Sequence, residues 1–193
     1  DDLRQADEVP AIVGLDSVAA VFAYEGAVRN LLLALKYRNR RDAIGWMGAH
    51  LAHAAQHPVD AITWAPTSTR RAADRGYDQA ELLARQAARH LRRPAHSLLR
   101  RGGRAPQTGL DAAARRTGLT FTATWRARLF PVPARVLVVD DITTTGATLE
   151  AAAAALRQLG AVTVHAVVVA HTPGPQSPVV RSSEHGHVAT WQA

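Results

Sequence analysis

Four short apolar runs punctuate the chain, at residues 18–23, 59–64, 136–139 and 162–170. The third is an unbroken β-branched and leucine run, the pattern of a central parallel strand buried on both faces. Longer segments at 27–37, 42–56, 77–91 and 146–159 carry helical patterns without proline. Strands alternating with helices predict an α/β fold, a mostly parallel sheet flanked by helices. Residues 1–17 read as an N-terminal extension, 18–171 as one domain, and 172–193, rich in Pro, Ser and Gly, as a fraying tail. One domain is what 193 residues with 47% hydrophobic content support.

The third run stops at chemistry. Val136-Leu137-Val138-Val139 leads into Asp140 and Asp141, then Ile142 and a turn of Thr143, Thr144, Thr145, Gly146, Ala147 and Thr148. Ligands of open α/β sheets bind where such strands end, so a site is expected from Asp140 onward. The Ala/Leu-rich helix that follows would offer free backbone N–H groups to an anion, with Gly146 keeping its backbone open to close approach. A single cap needs one hydroxyl, whereas four threonines stand here, and a capping box fails because Ala147 lies three residues before Glu150. A Walker A loop fails because Gly146 is followed by Ala147 in place of Lys and no glycine stands five residues earlier. A dinucleotide fingerprint lacks its three glycines. A phosphorelay receiver needs a phosphoacceptor aspartate further on, and none follows Asp141. What remains is one phosphate on amides and hydroxyls, with two carboxylates nearby for a neutral polyol or a metal. Ribose 5-phosphate satisfies both, since carboxylates accept hydrogen bonds from its hydroxyls and can help place Mg²⁺ through water.

Asp140-Asp141 with Thr143 to Thr148 resembles the phosphoribosyl-diphosphate (PRPP) motif of type I phosphoribosyltransferases. That resemblance implies a type I phosphoribosyltransferase-like, Rossmann-like fold. Upstream, the run at 59–64 leads into Ala65-Pro66-Thr67-Ser68-Thr69-Arg70-Arg71 and Arg75-Gly76-Tyr77-Asp78-Gln79. Small hydroxyl residues and arginines at a strand end suit a diphosphate: Thr67, Ser68 and Thr69 let the backbone approach, and Arg70 and Arg75 bind phosphate oxygens in pairs. The bland alternative is a polar turn with solvated arginines. Between the two sites, residues 100–110 are basic, contain glycine and lack hydrophobic periodicity, so a mobile lid loop is expected there, with Arg104, Gln107 and Thr108 as its contacts.

Tyr24-Glu25-Gly26, Leu35-Lys36-Tyr37, Arg75-Gly76-Tyr77-Asp78-Gln79, Pro106-Gln107-Thr108-Gly109-Leu110 and the Asp140 motif, in this order, resemble the ComF family of competence-associated phosphoribosyltransferase-like proteins. The likeness covers roughly residues 22–171. It implies displacement of diphosphate from C1 of Mg-PRPP by a nitrogen nucleophile, with Asp140 and Asp141 as the catalytic carboxylates and as ligands of Mg²⁺, directly or through water. Lys36 and Tyr37 join the candidate site. It implies a second function class as well, a non-catalytic PRPP-fold protein handling single-stranded DNA in natural competence and DNA uptake, with competence-machinery proteins and a second copy of the chain as further partners. The family commonly has Val-Pro-Val-Pro near Trp64-Ala65-Pro66, asparagine at Asp78, and a cysteine-based N-terminal zinc module. With no cysteine present, a trimmed chain or a shorter variant is expected.

Charge sharpens the picture. The net charge is +7, and from Ala61 to Arg116 twelve arginines face only Asp74, Asp78, Glu81 and Asp111. Such a concentration suits a polyanion, either diphosphate or a nucleic-acid backbone contacted by Arg100, Arg101 and Arg104. Since Lys36 is the only lysine, compositional bias is the rival explanation. Stacking on single strands would fall to Tyr37, Tyr77 or Trp64, each equally suited to a core. His50, His53 and His57 share one helical face and His185 and His187 sit in the tail; without a complete ligand set they read as solvated rather than metal-binding. No transmembrane-length apolar run and no signal-type opening predict a cytoplasmic protein without membrane insertion.

Overall fold

The computed structural model describes residues 3–37, 43–102 and 119–172. Four strands, β1 (Ser17–Ala23), β2 (Ala61–Trp64), β5 (Arg135–Thr143) and β6 (Thr163–His171), form one wholly parallel sheet in the order β1-β6-β5-β2. A separate antiparallel pair joins β3 (Leu99–Arg101) to β4 (Phe121–Ala123). The helices are α1 (Gly26–Tyr37), α2 (Ile44–Ala54), α3 (Thr69–Arg75), α4 (Gln79–Leu91), α5 (Trp125–Leu129) and α6 (Ala147–Gln158).

Side chains alternate across β5, so Leu137 and Val139 face one core and Val136 and Val138 the other. The first core takes Val28, Leu32 and Leu35 of α1, Met47 and Leu51 of α2, and Leu83 and Ala84 of α4; the second takes Leu149, Ala152 and Leu156 of α6. Burial on both faces is why β5 reads as an unbroken apolar run. Helices α2 and α4 cross closely at Gly48, where an added Cβ would stand 2.3 Å from the Gln86 Cβ.

The expected sheet and its flanking helices are thus present. The four expected strands and helices are found within a few residues, with one informative exception: β5 continues through both aspartates to Thr143, because β6 runs alongside to His171 and keeps pairing with it. Four elements carried no readable pattern. β3, β4, α3 and α5 are three to seven residues long, too short for periodicity to register. Arg100 and Arg101, expected in a loop, are strand residues that pair with Thr122 and Phe121.

The segment before β1 packs against the domain. Gln5 bridges Phe22 antiparallel, the Ala23 N–H donates to the Arg4 carbonyl at 3.0 Å, and Val9 is buried. It thereby covers an otherwise open sheet edge. At the opposite end of the sheet, Asp16 Oδ2 accepts from the Val164 N–H at 2.7 Å and from Arg157 Nη2 at 2.6 Å, tying β1, β6 and α6 together.

Candidate functional site

Beyond the C-terminal ends of β2 and β5, a cavity of about 160 Å³ is lined by Thr67, Arg71, Arg75, Asp78, Gln79, Arg101, Asp140, Asp141, Thr148 and Lys36, among others.

The carboxylates come from β5. Asp140 is 8% exposed and its Oδ1 accepts the Asp141 N–H at 2.8 Å. Burial raises the Asp140 carboxyl well above the usual carboxylate range, and the Asp141 charge adds to this; the Asp141 N–H and the Lys36 charge work against it. Asp141 points the other way along the pleat, and its Oδ2 meets Lys36 Nζ at 2.8 Å. Lys36 reaches it from the last turn of α1, which the first core pins through Val28, Leu32 and Leu35. The pair is largely out of water, with the side chains 15% and 20% exposed. Two neighbouring carboxylates are thus held differently, Asp140 by burial and the Asp141 N–H, and Asp141 by the Lys36 ammonium.

The threonine turn is shorter than expected. Thr143 is a buried strand residue, and only Thr144, Thr145 and Gly146 lie between β5 and α6. Gly146 is the N-cap of α6 at φ +76°, and no side chain caps that helix; the Thr145 Oγ1 to Ala147 N–H contact is long, at 3.5 Å. First-turn N–H groups therefore still call for an acceptor. Thr144 and Thr145 are exposed, and Thr148, one residue into the helix, reaches the cavity wall. Gly146 also has a packing role: it is buried, and a Cβ there would stand 2.7 Å from Ile12 Cδ1. Its lack of a side chain serves the fold, whereas the sequence suggested only ligand access.

On the β2 side the structure reassigns residues. Thr67 lines the cavity, but Ser68 caps α3 by accepting the Arg71 N–H at 3.3 Å, and Thr69 and Arg70 are exposed on that helix. Because the segment is helical, a step of one residue turns the side chain by about 100°. Arg71, not Arg70, is on the wall, together with Arg75. Asp78 holds this region: it caps α4 through the Ala80 N–H at 3.0 Å and its Oδ2 accepts the Thr67 N–H at 2.8 Å. Burial raises its carboxyl despite those bonds. Gln79, 5% exposed, accepts from Arg75 Nη1 at 2.8 Å.

Arg71, Asp78, Gln79 and Arg101 were absent from the sequence-based site. Asp78 and Glu81 stand three apart before an amphipathic helix, a cap signal that was readable; the others depend on α3 and β3. Tyr37 is the last residue of α1. Arg104, Gln107 and Thr108 lie outside the described residues. Of the aromatic side chains considered for stacking, Trp64 is core, with the Arg85 guanidinium 5.5 Å from its ring centroid, and Tyr77 packs on the same core and donates its hydroxyl to the Leu35 carbonyl. His53 and His57 are exposed, as expected of solvated histidines, whereas His50 is half-buried and meets Trp46 edge-on at 4.5 Å; His57 lies beyond the end of α2, off the expected helical face, and stacks on His165 at 4.4 Å, and His185 and His187 lie outside the described residues.

A parallel sheet ending in two carboxylates, an uncapped helix N-terminus and an arginine-lined cavity together give an α/β domain with a polar, anion-accepting site at its sheet end. The sequence model of the phosphoribosyl transferase domain family matches residues 79–188, more than half of the chain, and the chain belongs to that family. Its parallel four-stranded sheet flanked by helices is the type I phosphoribosyltransferase-like fold. No curated protein matches significantly. Similar solved structures include an allosteric regulatory enzyme of purine biosynthesis (23% identity, TM-score 0.45, covering 65% of this chain and 25% of that one). Glutamine PRPP amidotransferase from B. subtilis complexed with ADP and GMP is another (22%, TM-score 0.46, 65% and 26%). A hypothetical protein from Neisseria gonorrhoeae with bound ppGpp is a third (18%, TM-score 0.40, 68% and 77%). The chain spans about a quarter of the length of the first two.

The family typically uses Mg-PRPP, and the donor chemistry fits a hard cation: Asp140 and Asp141 present carboxylate oxygens to the cavity. No group of three metal-capable His, Cys, Asp or Glu side chains occurs among the described residues. A magnesium ion here would complete its shell with water and ligand oxygens.

Proposed function

We propose that the chain binds Mg-PRPP, or a ribose 5-phosphate group, at this cavity and transfers phosphoribosyl to a nitrogen nucleophile, as a member of the ComF branch of the family. The observation that carries the reading is the convergence of Asp140, Asp141, Thr148, Thr67, Arg71, Arg75 and Lys36 on one cavity. In the reaction the bond from C1 to the diphosphate oxygen breaks, the electron pair leaves with diphosphate, and nitrogen forms the new bond to C1. The α6 N-terminus and its threonines anchor the 5-phosphate, so that a non-reacting group orients C1. Asp140 and Asp141 accept hydrogen bonds from the ribose hydroxyls, and the Asp141 charge stabilises positive charge developing on the ring. Lys36 holds Asp141 in place until ligand arrives. Arg71 and Arg75 stabilise the departing diphosphate. Magnesium, when bound, offsets diphosphate charge.

Calorimetric titration with Mg-PRPP, followed by a turnover screen across bases and amines, tests this. Binding with turnover of at least one nitrogen nucleophile is expected. Binding without turnover favours the second reading, a PRPP-fold protein that handles single-stranded DNA. One surface supports that reading. Trp125, Leu129 and Phe130 are 67%, 69% and 61% exposed around α5, interleaved with Arg126 and Arg128, and the Arg126 guanidinium lies 5.7 Å from the Trp125 ring centroid. Exposed rings among cations are what base stacking needs. Trp64 and Tyr77, being packed in the fold, do not provide it.

A further inference from the structure

We infer that Gln79 is a ligand-binding residue of the diphosphate end of the cavity, a neutral donor that recognises a diphosphate ester and at the same time sets the position of Arg75. This rests on the PRPP reading and names a specificity residue within it.

The Gln79 side chain is 5% exposed and lines the cavity. Its two ends have different surroundings. Oε1 accepts from Arg75 Nη1 at 2.8 Å, while Nε2 is buried without a hydrogen-bond partner. The usual escape, an amide flip, is closed: it would set an NH₂ group against a guanidinium that can only donate. Arg75 therefore fixes the orientation, and the two N–H bonds of Nε2 remain without an acceptor. Buried donors are almost always satisfied, so an orphan on a side chain that lines a cavity marks a place where something else supplies the acceptor.

Among the described residues, the carboxylates nearby are already engaged. Asp78 takes the N–H groups of Thr67 and Ala80, and Asp141 takes Lys36. Asp140 accepts the Asp141 N–H. The guanidinium groups at this end, of Arg71, Arg75 and Arg101, can only donate. An oxygen-rich anion offers acceptors to Nε2 and to these cations together, and the α6 N-terminus is left for the 5-phosphate. A neutral amide gives the site a donor whose strength does not change with pH. It also couples recognition to geometry, because the atom that binds ligand and the atom that holds Arg75 belong to one rigid plane.

Glutamate is the diagnostic replacement. Gln79→Glu keeps an oxygen for Arg75 and the same shape, yet removes the donor and faces the anion with a negative charge. Gln79→Leu removes both ends. Titration of the full chain with inorganic diphosphate, PRPP and ribose 5-phosphate, each with Mg²⁺, separates the roles, and thermal melts of both variants check the fold. Expected is a loss of at least tenfold in affinity for diphosphate and PRPP in Gln79→Glu, a smaller loss in Gln79→Leu, and ribose 5-phosphate affinity within about twofold of wild type in both. Diphosphate affinity unchanged in both variants, or equal losses for all three ligands, would overturn the inference and leave the PRPP reading standing. Failure of the wild-type protein to bind any of the three would overturn both.

Discussion

At the scale of single residues, the carboxylate pair is the feature most open to test. Removing one partner of a largely buried ion pair leaves a charge with nothing to offset it, which costs about 3–5 kcal/mol when burial is complete. Lys36 and Asp141 keep some exposure, so Lys36→Met should lower unfolding stability by a smaller amount, about 1–3 kcal/mol in urea. Asp141→Asn should cost less, since a lone lysine can extend its head to water. If the ranking is reversed, Lys36 is a surface cation and not a partner. Gly146 and Thr145 form the second contrast. Gly146→Val meets both a positive φ and Ile12 and should destabilise the fold by about 2 kcal/mol or more. Thr145→Val, at an exposed position, should stay within about 0.5 kcal/mol of wild type while weakening phosphate binding. Denaturation curves beside phosphate titrations decide, and a Gly146→Val protein of unchanged stability would mean that Ile12 gives way freely.

At the scale of elements, legibility followed length and burial. The four sheet strands and α1, α2, α4 and α6 could be read because each repeats its pattern over several residues against a core. That Asp140, Asp141 and Thr148 come together at the sheet end was legible because the strand and helix that carry them were. Arg71 and Arg101 were not, because which arginine of a pair faces the cavity depends on α3 and β3, whose rotation and pleat no short window reveals. No pattern in the chain singles out Gln79; its value comes from a guanidinium reaching it from the previous helix. Helix packing supplies a test within a single element. Gly48→Ala should destabilise by about 1–3 kcal/mol, since its Cβ would collide with Gln86, whereas Gly45→Ala on the same helix, with nothing within 4 Å, should be neutral or gain about 0.5 kcal/mol. Equal effects would mean that α2 and α4 are less closely seated. Asp16 adds a pH test. Its carboxyl is held below the usual 3.8, chiefly by the Val164 N–H, with Arg157 helping. A depressed folded value stabilises above the unfolded pKa and is lost as pH falls through the folded one. Wild type should therefore exceed Asp16→Asn by about 1 kcal/mol at pH 7, discounted for exposure, with the gap closing as pH falls below the usual carboxylate value of 3.8. A gap that does not change with pH would remove the ionised carboxylate from the account.

At the scale of the whole molecule, the arginine excess of the middle third meets both proposed partners. Arg101 stands in the cavity wall, so single-stranded DNA bound there should compete with Mg-PRPP, whereas DNA held by Trp125 and Phe130 near α5 should not. Either mode should weaken with salt at a log-log slope of roughly −0.7 per phosphate neutralised. Replacement of Arg100, Arg101 and Arg104 flattens that slope only in the first case. Anisotropy of a labelled oligonucleotide at two salt concentrations, with and without PRPP, tells them apart, and no binding at low salt removes the nucleic-acid reading. The central claim is simpler: the cavity at the end of β5 takes PRPP. The most direct measurement is the thermal midpoint with and without Mg-PRPP, in wild type and in Asp141→Asn. A ligand at 100 times its dissociation constant adds about 2.7 kcal/mol. The midpoint should rise clearly in wild type and lose most of that rise in Asp141→Asn; a wild-type midpoint that does not move in millimolar PRPP with Mg²⁺ would contradict the account.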